Sequence, residues 1–303
     1  MKYHLFIATA LVSAVLLSRP AGAEAPAKAA AASNALPVAG VIDVKGGYRH
    51  MRQDDEPESD SHFALGANGR VSFPFSNMFS AQIDAQTEWF NVDDNGSNTP
   101  SANTLLGGHL SARNSSQWLI GGFAAVGIPT QTETEDSPED DNSVAWEGGL
   151  EGQWYLNDFT FYGQTGFADM RADGNGPEGF VNGWFGRGVV RYFLNDDTMV
   201  NAEYSYGRTR HYVDGDDDGR IRNWGVGGAT RVCNTHPLYG TLEYQGGKYD
   251  STTEGEVGID HAFLAGIKFQ FGVNSLKHND RYGATLDLPM LPVRATSWEE
   301  SLD

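Results

Sequence analysis

Cysteine is almost absent: Cys233 is the only one in 303 residues, so the chain can form no intramolecular disulfide and no cysteine-based zinc cluster. Basic residues are scarce too. Lys and Arg number 21 against 40 Asp and Glu, a formal net charge of −19. That balance argues against a nucleic-acid partner, because such binding rests on Lys and Arg neutralising phosphates. Beyond the N-terminal segment, no apolar run reaches the roughly 20 residues that a membrane helix needs. Any crossing of a bilayer must therefore be made by strands closed into a barrel.

What is present begins with an export signal. Lys2 and His4 precede the apolar run LFIATALVSAVLL, and AGA at 21–23 supplies a small-residue cleavage site. The run is too short for a transmembrane helix, so residues 1–23 read as a signal peptide. Its removal takes away Lys2 and Arg19 and leaves a mature charge of −21. Residues 24–39, rich in Ala and Pro, read as a flexible lead-in.

From residue 40 the dominant period is two. In AQIDAQTEWF, Ala81, Ile83, Ala85, Thr87 and Trp89 share one face while Gln82, Asp84, Gln86 and Glu88 share the other. Similar alternation predicts about twelve strands, near 40–51, 62–75, 78–91, 103–113, 117–129, 143–156, 158–171, 180–194, 197–212, 219–233, 237–250 and 256–271. These exceed the ~5–6 residues usual in soluble sheets and suit tilted strands that cross a bilayer. The register of QWLIGGFAAVGIP (117–129) is ambiguous, since both of its faces are apolar or small. Tight turns such as Ser76-Asn77 and Asn157-Asp158 alternate with longer loops, including RQDDEPESDS, VDDNGSNTPSA and QTETEDSPEDDN. An even strand number with this alternation leaves both termini on the short-turn, periplasmic side.

Aromatic residues bracket the apolar faces, as in Phe63/Phe73, Phe79/Trp89, Trp146/Trp154, Phe159/Phe167 and Trp184/Tyr192. Separations of 8 or 10 residues at a tilt of about 40° span roughly 20–25 Å, the height of an outer-membrane apolar band. A soluble exported β-protein has no such reason to space its aromatics. On these features residues 40–271 resemble the bacterial outer-membrane β-barrels, in the manner of small porin-like proteins. LAGIKFQF (264–271) resembles their C-terminal targeting signal, although Leu264 stands where a polar residue is usual and 32 residues follow Phe271. The resemblance implies an all-β, transmembrane, antiparallel, up-and-down barrel in the outer membrane. Its partners would be the lipid bilayer and small hydrophilic solutes or ions, with the oligomeric state open.

If the apolar faces meet lipid, the opposite faces line a lumen. Its acidic members are Asp43, Asp84, Glu88, Glu147, Glu151, Glu203, Glu243 and Asp260; its basic members are Lys45, Arg49, Arg70, Arg113, Arg187, Arg191, Arg231 and Lys268, with His109 among them. Such a wall fits a water-filled channel for passive diffusion, or a sealed barrel whose inward charges neutralise one another. Twelve strands lie between the filled eight-stranded and the open sixteen-stranded cases. The excess negative charge falls in QDDEPESD and TETEDSPEDD, either a solvated face or a funnel that concentrates cations. The sealed alternative would present these loops for surface interaction.

No cofactor, metal or covalent chemistry is implied. DGDDDG (214–219) opens like a calcium loop, but Gly225 stands where the bidentate Glu is required. His109 and Ser111 share a strand face and resemble the His-x-Ser of outer-membrane lipid hydrolases. Here they face the lumen rather than lipid, and Ala112 replaces the Asn that follows the Ser in those enzymes. Cys233 reads as an isolated thiol at a strand end. Residues 272–303 read as a periplasmic tail, disordered, entering the lumen as a plug, or binding a periplasmic partner. The two prolines of LDLPMLPV argue against a helix there.

Overall fold

The computed structural model describes residues 37–53, 60–94, 97–131, 143–172, 180–210, 218–251 and 255–290. The signal segment 1–23, most of the lead-in, the acidic stretches 54–59 and 132–141, most of DGDDDG and residues 291–303 lie outside these.

Twelve strands form one closed antiparallel barrel in sequential order. They are β1 (Ala39–Gln53), β2 (Asp60–Pro74), β3 (Phe79–Asp94), β4 (Ser97–Asn114), β5 (Trp118–Gln131) and β6 (Ser143–Leu156). The second half is β7 (Phe159–Ala172), β8 (Gly183–Asn195), β9 (Thr198–Thr209), β10 (Gly219–Arg231), β11 (Leu238–Ser251) and β12 (Gly255–Phe271). Closure runs through the first and last strands, in register from Gly40 opposite Phe271 to Gln53 opposite Gly258. That seam needs glycine. A Cβ at Gly47 would stand 1.9 Å from the Phe263 carbonyl oxygen, and one at Gly266 would stand 2.3 Å from that of Val44.

The outward face is apolar. Leu150, Leu242, Tyr48, Phe167 and Phe263 are each about two-thirds exposed, an arrangement that only a lipid surround makes favourable. No helix among the described residues is long and apolar enough to cross a membrane. The ambiguous β5 resolves with Ile120, Val126 and Ile128 outward and Leu119, Phe123 and Ala125 buried inward. Its two-sided apolar character follows, because the lumen contains something apolar at that level.

One expectation is corrected, and one of the alternatives for the tail is selected. VDDNGSNTPSA is not a loop: β3 and β4 pair in register out to Asp94 opposite Ser97. Strand pairing over Val92–Asp94 and Ser97–Ala102 runs through the polar stretch read as a loop. For the tail, the reading as a segment entering the lumen is the one the described residues match. Residues 273–290 lie inside the barrel, with Val273, Leu276, Ala284, Leu286 and Leu288 at most 5% exposed. The chain leaves β12 through Gly272, whose φ of 74° is a left-handed conformation that side chains disfavour. A Cβ there would also stand 2.0 Å from the Val38 carbonyl oxygen. A short helix follows, α1 (Leu276–Tyr282). Ser275 caps its start by accepting a hydrogen bond from the His278 N–H at 3.1 Å, and the Gly283 N–H donates to the Asn279 carbonyl at its end. The described part of LDLPMLPV, residues 286–290, lies beyond the helix and is not helical, as its composition suggested.

A cation at the middle of the lipid-facing band tests the membrane assignment. Leu150→Arg should lower unfolding free energy in lipid by about 2–4 kcal/mol. Denaturant titration of bilayer-embedded protein measures this, and the penalty should vanish when unfolding is followed from a water-soluble form.

Candidate functional site

Period-two alternation delivers every second side chain of each strand into the interior, and the polar side chains there form discrete groups. Arg49 pairs with Glu88 at 2.7 Å and lies 3.6 Å from Asp260. Lys45 meets Glu243 at 2.5 Å and lies 3.8 Å from Asp43, which stands 3.9 Å from Lys268 on its other side. His109 is held between two carboxylates, Nδ1 at 2.7 Å from Glu151 and Nε2 at 3.3 Å from Asp84. Glu151 also accepts from the Tyr162 hydroxyl at 2.7 Å. Glu147 is buried, and neither carboxylate oxygen has a hydrogen-bond partner among the described residues. Arg231 sits at the short-turn rim, bonded to Asp197 at 2.7 Å.

The remaining cations reach the C-terminal segment. Arg187 makes a two-pronged contact with Asp287, Nη1 to Oδ1 at 2.9 Å and Nη2 to Oδ2 at 3.2 Å, and Nη2 also donates to Glu203 at 2.6 Å. Such a fork is the strongest ion-pair geometry available to a guanidinium. Arg191 donates to Asp280 at 2.8 Å and to Thr285 at 2.9 Å. Arg113 donates to the Gly283 carbonyl at 3.0 Å and Arg70 to that of Leu286 at 2.7 Å. Gln82, Gln86 and Gln164 donate to the carbonyls of Leu286, Leu288 and Asp287. The plug's backbone, extended and without a ladder of its own after Gly283, is thus satisfied by side chains of the wall.

Apolar contacts set its depth. Leu276 enters a cluster with Phe193, Ala229 and Tyr239 near the short-turn end. Leu286 joins Leu119, Tyr155, Tyr162 and Val189. Leu288 joins Phe123, Phe185 and Ile221. Each fully buried leucine contributes roughly 1.5–3 kcal/mol relative to exposure. From the other direction Phe180, 1% exposed, folds into the last of these clusters, and its carbonyl accepts from the Met170 N–H at 3.1 Å.

The segment does not fill the lumen. A cavity of about 240 Å³ lies between it and a wall that includes residues of β1, β2, β9, β11 and β12, lined by Asp43, Lys45, Asn68, Asn223 and Lys268 among others.

Alternation alone put these side chains on one face of each strand. It did not show the docking of the tail, because the eight acidic and eight basic wall residues looked self-balanced. In the folded chain Arg187 and Arg191 take much of their compensation from Asp287 and Asp280. Ser275 and Gly283 as caps, and the apolar inward residues of β5, were the available signals. His109 and Ser111 do not form a catalytic pair: both imidazole nitrogens face carboxylates, and Ser111 Oγ meets Ser80 Oγ at 3.0 Å. Cys233 lies in the turn after β10, with its Sγ 3.2 Å from Thr235 Oγ1.

No protein-family model matches the chain, and no curated protein sequence matches it. Solved structures do. An outer-membrane channel from Pseudomonas putida F1 superposes with a TM-score of 0.51 at 11% identity, over 82% of this chain and 100% of the other. The chain therefore has the fold of the bacterial outer-membrane β-barrels. The translocator domain of the autotransporter NalP from Neisseria meningitidis gives 0.48 at 12% identity, over 88% and 96%. The β domain of the Bordetella autotransporter BrkA gives 0.47 at 15%, over 77% and 100%.

Acid should loosen the plug of this outer-membrane barrel. Burial by itself would raise the Asp287 carboxyl, but Arg187, with Arg70 and Arg191 nearby, outweighs it and holds the group well below its ordinary 3.8. A depressed acid contributes stability that is complete above the ordinary value and is lost as pH falls through the depressed one. Melting of the detergent-embedded protein should therefore be insensitive to Asp287 between pH 7 and about 5 and should fall below about pH 4. Asp287→Asn should be less stable at neutral pH and should show less of that acid loss.

Proposed function

We propose that this outer-membrane barrel is a channel for passive diffusion of small hydrophilic solutes or ions, narrowed by its own C-terminal segment. The observation that carries the reading is the polar cavity beside the docked segment, walled on one side by strands and on the other by residues 276–290. A structural filler would be expected to exclude water at native packing density. This lumen instead keeps an unfilled polar space bordered by Lys45, Asp43, Asn223 and Lys268. The short-turn end, where β1 begins and β12 finishes, is the periplasmic end in this reading. The acidic stretches between the strands at the other end would favour cations at the mouth, and with a balanced wall the selectivity is weak. No covalent step is assigned to the wall. His109, on the inward face of β4, is engaged by Asp84 and Glu151.

A second reading, a sealed barrel serving envelope structure or surface interaction, is favoured by one observation. The segment is bound at many points, including the Arg187–Asp287 fork and three leucine clusters.

Planar-bilayer recording separates the two. The mature protein should show small discrete conductance steps with mild cation preference, and deletion of residues 273–303 should raise the step size several-fold. Arg187→Ala removes one partner of a buried pair, a change that typically costs about 3–5 kcal/mol. It should produce brief excursions to the larger level. Silence from both the full-length and the shortened protein, each shown to be folded by circular dichroism, would establish the sealed reading.

A further inference from the structure

The cavity beside the plug holds hydrogen-bonding capacity that the protein does not use. Asp43 is 1% exposed, and neither of its carboxylate oxygens has a hydrogen-bond partner among the described residues. Its contacts with Lys45 and Lys268, at 3.8 and 3.9 Å, are too long for hydrogen bonds. Asn223 and Gln270, 6% and 2% exposed, each leave the side-chain oxygen unpartnered, as does Asn279 on the plug. All four line the same cavity. Buried acceptors without donors are unfavourable by about 1–3 kcal/mol each, so their convergence on one cavity points to a guest that supplies donors.

The charge of the lining narrows the class of that guest. Glu203 and Asp287 are engaged by Arg187, Asp280 by Arg191 and Glu243 by Lys45. Glu88 is engaged by Arg49, so what is left is Asp43 with Lys268 and Arg70: a slight positive excess that disfavours a cation, beside unpartnered acceptors that disfavour an anion. Neither an anion nor a cation finds a matching field. A hydroxyl group suits it, because it can donate to Asp43 while accepting from Lys45 or Lys268. Aliphatic side chains of Leu264, Met199 and Leu276 complete the wall, offering surface to C–H groups. We infer that this cavity is a binding site for a small neutral polyhydroxylated solute of about monosaccharide size. The inference deepens the channel reading and rests on it only in placing the site on the diffusion path.

The cavity also offers a steric control. A Cβ at Gly66, on its β2 wall, would meet nothing nearer than the Thr87 carbonyl oxygen at 3.9 Å. Gly66→Leu should thus fill the space without displacing backbone.

Isothermal titration of the full mature protein in detergent, with D-glucose as probe, tests the assignment. Saturable binding with a Kd on the order of 1 mM is expected. Asp43→Asn should weaken it about tenfold or more, and Gly66→Leu should abolish it, with the circular dichroism of both variants and the melting temperature of Gly66→Leu unchanged. Potassium acetate and tetramethylammonium chloride should give no saturable heat. Absence of saturation with glucose, equal binding by Gly66→Leu, or tighter binding of either ion would overturn the inference. Bilayer recording on the same preparations separates this from the channel reading. A conducting barrel that ignores glucose defeats the site alone, and a silent barrel that binds it defeats the channel alone.

Discussion

A lipid surround supplies no hydrogen bonds, and the rest of this structure depends on that fact. Every backbone N–H and C=O within the apolar band must find a partner in the protein, so the sheet has to close on itself. Closure brings β1 against β12 over fourteen paired positions, from Gly40–Phe271 to Gln53–Gly258. It also demands the absence of side chains at Gly47 and Gly266, where a neighbouring carbonyl would be struck. Once closed, twelve strands enclose a space too wide for wall side chains alone to fill and too narrow to stand as a large aqueous pore. The C-terminal segment answers that geometry.

The way it does so explains the composition of the wall. A wall built only to be wet would not turn Leu119, Phe123, Phe185 and Val189 inward. Here these residues receive Leu286 and Leu288. A wall built only to be packed would not carry Arg70, Arg113, Arg187 and Arg191 inward. Here those groups hold carbonyls and carboxylates of an extended strand of chain that has no backbone partners of its own. The plug is held mainly by side chains and not by a sheet ladder, so individual wall residues govern how firmly it stays. The unfilled side lies around Asp43 and Asn223.

Much of this was legible from the chain itself. The strand count and order, the inward and outward faces and the closing strands follow from strict alternation and aromatic spacing, because lipid on one side and water or polar side chains on the other impose a period of two on every strand. The misreading had a local cause. Polar composition around residues 92–102 suggested a loop, while strand pairing runs over Val92–Asp94 and Ser97–Ala102. The prolines of LDLPMLPV argued against a helix within that segment, and the helix lies just upstream, bracketed by Ser275 and Gly283.

By itself, then, the sequence determined the barrel: which segments are strands, which residues face lipid, and which polar side chains turn inward. Tertiary structure alone decided what those inward residues do. Whether Arg187 neutralises a wall carboxylate or grips Asp287, and whether Asp43 is satisfied or left open to a cavity, depends on how the eighteen residues after Gly272 thread the lumen. Those partners lie up to 216 positions apart. Alternation records only which face a residue occupies, so it carries no information about the partner across the barrel.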